Sequence, residues 1–324
     1  MIGRLTGLGM PLRVFVKEHL NGHHRARRRR YVARHLSLPA DLSVHRTPPG
    51  DRAVWAVGTV RNEDDVMRLC VDHLWAEGFH RLLLVDHAST DGTGPLLAEL
   101  AAADPRVAVA QFGLTGFYQS DLMTILARVA WRQGAAWVVP VDADEFWYAD
   151  GQTVGDFLRG QTADNVHADR FNAIPLEDGL TAQTRMAFCP RPLLPKVAFR
   201  THPLALVAPG NHGVARVGRL SSGLHVVHVP YRGPRQLLGK FQESTKALEA
   251  TDIVPEFAWH WRAGSQWSVD EAEATWHRMR AGEPVPPIGW TGASLDLTAR
   301  PLQWTVSDPE GMLPSTDDDV GVLV

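Results

Sequence analysis

The chain has 324 residues, 44% hydrophobic and 21% charged, a balance that supports a sizeable core and excludes a disordered or fibrous polymer. The net charge of -3 is unevenly spread: residues 1–50 hold ten Lys or Arg against two acids, and the remainder is strongly acidic. Two cysteines, Cys70 and Cys189, are too few for a disulfide framework and read as buried apolar residues of a reducing compartment.

Residues 1–50 read as an irregular basic extension with Pro39, Pro48 and Pro49 near its end. The run at 25–30 suits an anionic membrane surface, nucleic acid or simply solvent. No aromatic interleaves it, so stacking on single strands is not indicated and nucleic acid is not expected as a partner. The first twenty residues lack an uninterrupted apolar run of signal-peptide type. No stretch approaches the roughly 18 apolar residues of a membrane span. The expectation is a cytoplasmic protein, with 1–34 a candidate for peripheral contact with the inner membrane face.

A regular alternation then begins. Residues 53–59 are short and apolar, as a buried strand is, and 64–78 carry apolar positions at helical spacing before Gly78. A strand follows at 81–85, a helix at 93–103, a strand at 106–112, a helix at 120–134 and a strand at 136–141. Strands alternating with helices predict an α/β fold with a mostly parallel, Rossmann-like sheet flanked by helices. Shorter strand-like pieces occur at 170–174, 196–201 and 225–229. Helices are predicted at 234–250 and 268–280, followed by an acidic tail after Pro301.

In a parallel sheet, ligands bind beyond the carboxyl ends of the strands. Three polar clusters fall there: Arg61-Asn62-Glu63, the segment from Asp86 to Thr93 (DHASTDGT), and Asp142-Ala143-Asp144-Glu145. Like charges repel, so gathering Asp142, Asp144 and Glu145 at one strand end calls for compensation, which a divalent cation would supply. Taken singly, each cluster reads equally well as caps and turns. His225 and His228, three apart on an extended segment, point to opposite faces, so one at most faces a site.

Together and in this order, RNE (61–63), VDHASTDGT (85–93) and VDADEF (141–146) resemble the family 2 and family 2-like glycosyltransferases of the GT-A fold. The likeness extends more weakly to His228-Val229-Pro230-Tyr231-Arg232, Lys240, Lys196 and Gly210-Asn211-His212. It implies a GT-A domain over 51–250, between the basic extension 1–50 and a helical C-terminal region over 251–324. It also implies a nucleoside diphosphate sugar donor of UDP, GDP or dTDP type, usually with inversion at the anomeric carbon. The acceptor would be a carbohydrate or a lipid-linked molecule in polysaccharide or glycoconjugate assembly.

By the same resemblance Asp86 contacts the nucleoside, with Thr59, Asn62 and Glu63 lining its pocket. Asp142 lies near the ribose or the metal, Asp144 binds Mn2+ or Mg2+, and His228 completes the metal sphere. Arg232 and Lys240 stabilise the departing diphosphate. The acceptor proton would go to the pair Glu177-Asp178, with His212 as competitor. Several rivals fit less well. A sugar-nucleotide transferase would carry a Gly-rich loop where GTVRNED stands, and a phosphohydrolase would carry Asp-x-Asp-x-Thr or Val in place of DADEF. A scaffold that has lost catalysis would have no need of three retained acids.

Overall fold

A computed structural model describes residues 22–40, Leu42, 52–251 and 259–298. The first basic residues and the acidic tail expected after Pro301 lie outside the described residues.

The chain begins with helix α1 (Gly22–Arg34) and strand β1 (Leu36–Ser37). It then alternates through β2 (Val54–Val60), α2 (Met67–Ala76), β3 (Arg81–Asp86), α3 (Thr93–Ala103), β4 (Val107–Phe112), α4 (Gln119–Arg132) and β5 (Trp137–Val141). Next come β6 (Glu145–Ala149), α5 (Val154–Gly160), β7 (Asn165–Pro175), β8 (Met186–Phe188) and β9 (Leu193–Arg200). The small pair β10 (Leu206–Val207) and β11 (Val214–Ala215) precedes β12 (Leu220–His228). The last elements are α6 (Pro234–Glu249), α7 (Trp259–Ser265), α8 (Val269–Arg280) and β13 (Ser294–Thr298).

The main sheet has the order β1-β4-β3-β2-β5-β9-β7-β12-β6. Its central strands β4, β3, β2 and β5 are all parallel, as the alternation predicts. Beyond β5 the sheet becomes mixed: β9 is antiparallel to both β5 and β7, while β12 runs parallel to β7. Strand β2 is the switch point, since the chain steps to β3 on one side and later returns to β5 on the other. A crevice opens at such a reversal because the loops from its two neighbours turn to opposite faces.

Strands β3 and β5 are buried throughout, and β2 at every residue but Thr59, because both of their faces are covered. In β2 the alternation divides the core. Val54, Ala56 and Val60 pack with Met67, Cys70 and Leu74 of α2 and Leu97 of α3. Trp55 and Val57 pack with Leu122, Leu126 and Ala130 of α4. A one-residue slip would exchange the two sets, so each face specifies the register.

Two regions differ from the expectations. The supposedly irregular start contains a 13-residue helix and a strand that pairs with β4, and Val32 and Leu42 enter the core beside α4. Arg is a good helix former, and the apolar side of Val32 gives the helix a place to dock. Toward the other end, β13 pairs with β8, and Trp276, Met279 and Trp290 share a core with Ile174, Leu237 and Phe241. Helices α7 and α8 therefore complete the hydrophobic cover of the sheet's mixed half.

Candidate functional site

Asp144 stands in the turn between β5 and β6, and its carboxylate is buried. Three basic side chains surround it. Lys240, from α6, donates a short hydrogen bond to Asp144 Oδ2, His228 Nε2 lies 3.5 Å from the same oxygen, and Arg232 Nη1 lies 3.9 Å away. Burial pushes the carboxyl upward, but Lys240, His228 and Arg232 outweigh it and hold the group well below the usual range.

Four of the five N–H donors of Arg232 are engaged. Its Nε and Nη2 donate to Asp65 at 2.8 Å each, Nη2 also donates to Glu63 Oε2 at 2.5 Å, and Nη1 donates to the Val229 carbonyl at 3.3 Å. It ties the loop after β2 to the segment after β12, two elements far apart in sequence. Glu63 also lies 3.6 Å from Lys240 Nζ, and burial raises its pKa against the pull of Lys240 and Arg232. Lys240 reaches both carboxylates on a four-carbon stem of rotatable bonds.

His228 is fixed by a neighbour. Strands β7 and β12 run parallel with His228 opposite Asn172, and His228 Nδ1 lies 2.7 Å from Asn172 Oδ1. Arg170 Nη1 is farther, at 3.4 Å from the same nitrogen. Burial pushes the imidazole down to about 4 and keeps it neutral. Its Nε2 faces the Asp144 carboxylate across 3.5 Å, so a ring nitrogen and a carboxylate oxygen converge on one point. A carboxylate and a histidine oriented by an amide suit a divalent ion whose other ligands come from phosphate and water. Among the described residues, no three His, Cys, Asp or Glu side chains gather into a metal cluster.

Asp142 differs from the expectation that it joins this pair. Lys196 Nζ donates to its Oδ2 at 2.7 Å, while Gln119 Nε2 and Asn211 Nδ2 donate to its Oδ1 at 3.0 and 3.1 Å. Both oxygens are thus committed on the other side of the β5–β6 turn. Lys196 also donates to the Gly210 carbonyl at 2.8 Å and approaches Glu145 Oε1 at 2.7 Å. That last approach is a charge contact rather than an aligned hydrogen bond, since neither Glu145 oxygen has a donor. Burial raises the Glu145 carboxyl to about 7 despite Lys196. The Asp142 group secures a turn in which Gly210 and Asn211 both adopt positive φ.

The nucleoside candidates lie along the adjoining strand ends. Asp86 is in register with Val60, and its Oδ1 accepts from Ser89 N at 3.0 Å, closing its own loop. A Cβ on Gly94 would come within 3.0 Å of Asp86 Oδ2, so that glycine leaves room for the carboxylate above α3. Asn62 has φ 55°, accepts from Thr90 N at 2.8 Å and donates from its backbone to Ser89 Oγ at 3.2 Å. Glu63 N donates to Thr93 Oγ1 at 2.8 Å. Thr59 lies one residue before the end of β2, paired with Val85. These contacts lock the loops after β2 and β3 into one rim.

Glu177 and Asp178 are not brought into this group. Both are exposed on the β7–β8 connection, where Glu177 pairs with Arg185 at 2.9 Å and Asp178 with Arg280 of α8 at 2.7 Å. Neither has a hydrogen bond or ion pair with Asp142, Asp144 or their partners among the described residues. His212 Nδ1 lies 3.0 Å from the Pro195 carbonyl, and burial, with Lys196 and Arg170, lowers its pKa to about 4. His225 does fall on the opposite face from His228, beside Asp150 and stacked on Tyr148. Sequence reading missed Asp65, Asn172 and Gln119. Only Asp65 carried a signal, as a third acid beside Glu63.

The chain is similar to S. aureus TarS, a staphylococcal glycosyltransferase. The crystal structure of TarS 1–349 matches with a TM-score of 0.37 and 14% identity, covering 70% of this chain and 73% of that one. A likeness this distant concerns the fold alone. No protein-family model matches the chain, and no curated protein matches it. No helix among the described residues is long and apolar enough to cross a membrane.

Proposed function

We propose that this protein transfers a sugar from a nucleoside diphosphate donor, with the diphosphate seated between Asp144, His228 and Lys240. The observation that carries the reading is the convergence of Glu63, Asp144, His228, Arg232 and Lys240 at the switch point of the sheet. Stability does not account for such a group. Burying several charges together costs more than an apolar filling of the same volume. Clusters of strongly perturbed ionisable groups in a crevice mark functional sites.

The division of labour follows from which groups are free. Arg232 has four of its five N–H donors engaged, three of them on Glu63 and Asp65, so its main part is to position those two acids. Lys240 releases Asp144 and turns its ammonium to the diphosphate oxygens, where charge grows as the glycosidic bond breaks. A divalent ion bound by Asp144 and His228 would neutralise part of that same charge. Asp86 and Asn62 border the space for the nucleoside. Asp142 and Lys196 hold the 209–213 turn that forms the neighbouring wall.

Calorimetric titration of UDP, GDP and dTDP, with and without manganese, tests the proposal. Binding of one nucleotide that requires manganese and is lost in Asp144→Ala is the expected result. A folded wild-type protein that binds none of the three would remove the donor site, and the proposal with it.

A further inference from the structure

Helix α1 lies against α4 at the β1 edge of the sheet, held by the buried Val32 and by the 2.7 Å ion pair of Arg28 with Asp121. Arg25, Arg27, Arg30 and Arg34 are exposed, and Arg29 is close enough to Arg128 of α4 to lower that group's pKa after burial, as does Arg132. Guanidinium groups of the two packed helices thus lie near one another. Large apolar side chains are exposed on the same elements: Tyr31 at 47%, Trp131 at 40% and, just past β1, Leu38 at 40%. A cavity of about 480 Å3 opens among Arg27, Arg28, Tyr31, Tyr118 and Glu249.

We infer that this face docks on an anionic phospholipid surface. Guanidinium groups interspersed with Tyr, Trp and Leu match the boundary between headgroups and acyl chains, which takes both cations and amphipathic aromatic rings. The charge distribution adds direction. Helix α1 carries six arginines and no acid, which turns it toward a negative surface. The cavity is of a size to take a headgroup, with Arg27 and Arg28 at its wall. A nucleic acid would use the charges but leave the aliphatic component of the patch without a role. Gln119, in the first turn of α4, reaches Asp142, so α4 links this side of the molecule to the cleft. The inference stands on the surface alone and does not depend on what the cleft binds.

Sedimentation of the full chain with vesicles provides the test, using phosphatidylcholine alone or mixed with phosphatidylglycerol. Binding is expected only to the mixed vesicles, and high salt should release it. Each arginine near an anionic surface is worth about fivefold in partitioning, so reversing Arg27, Arg30 and Arg34 to Glu together should lower it by at least about 100-fold. Lys at the same three positions should retain it, and Trp131→Ser with Tyr31→Ser should weaken it while leaving the salt dependence. Should the reversed variant lose its circular dichroism spectrum, Ala at the three positions replaces it. Equal binding to both vesicles, no binding at low ionic strength, or a reversed variant that binds like wild type would overturn the inference. So would a homopolymeric RNA that strips the protein from the mixed vesicles at equal salt, which would assign the face to nucleic acid.

Discussion

Lys196 is almost fully withdrawn from water between Asp142, Glu145 and the carbonyl of Gly210. A lone ammonium in that position would be costly, and two acids next to each other would be as well; each offsets the other. The consequence is asymmetric. Replacing Lys196 with Met leaves Asp142 with two amide donors but leaves Glu145 with only Arg170, 3.9 Å away. We expect Lys196→Met to lose about 3 to 5 kcal/mol of stability in urea unfolding. A loss below about 1 kcal/mol, the range of an exposed pair, would mean that the charges are not buried together. The same network explains why two aspartates only two residues apart have separate duties. The β5–β6 turn sends the Asp142 carboxylate toward β9 and the 209–213 turn, and the Asp144 carboxylate toward β12 and α6.

At the scale of elements, local chemistry determines where helices start. Ser268 and Glu271 form a complete capping box on α8: Glu271 N donates to Ser268 Oγ at 3.2 Å, and Ser268 N donates to Glu271 at 2.7 Å. Ser268→Ala removes one of these bonds and should cost about 1 kcal/mol, read as a lower midpoint in denaturant with an unchanged slope. No change would mean that the end of α8 is frayed in solution. The helices at 93–103 and 234–250 were legible for similar local reasons, and the first coincides with α3. Strand β6 was not legible. Its first residue, Glu145, belongs to an acidic run that reads as a loop, yet the side chain is wholly buried because β12 pairs against it. Helix α1 was hidden in the same way by composition, since an arginine run is equally at home in a solvated flank.

For the molecule as a whole, one buried acid ties stability to pH. Glu77 ends α2, and its carboxylate accepts from Val154 N at 2.9 Å, joining that turn to the start of α5. Burial raises its pKa from the ordinary 4.5 to about 8. Between those values the folded state keeps a proton that the unfolded chain releases. The neutral acid's contribution is therefore full below about pH 4.5 and is lost as pH rises through about 8. Glu77→Gln, neutral at every pH, should match wild type near pH 5 and exceed it near pH 8 by a few kcal/mol, since each pKa unit is worth about 1.4 kcal/mol. Parallel stability curves for the two proteins across this window would show that Glu77 is charged in the fold.

The sequence by itself determined the alternation of strands and helices, the parallel centre of the sheet and the edge on which the polar clusters lie. Each of these depends on spacing within a few residues: apolar side chains at two or at three and four, a glycine after a helix, an acid after a strand. Only the tertiary structure decided which cation meets which carboxylate. Lys196 is 54 positions from Asp142 and Lys240 is 96 from Asp144, and Asn172 faces His228 across a parallel pair. Those partnerships depend on strand order and register. In a sheet, a shift of one residue turns every side chain to the opposite face, so no local pattern can specify them.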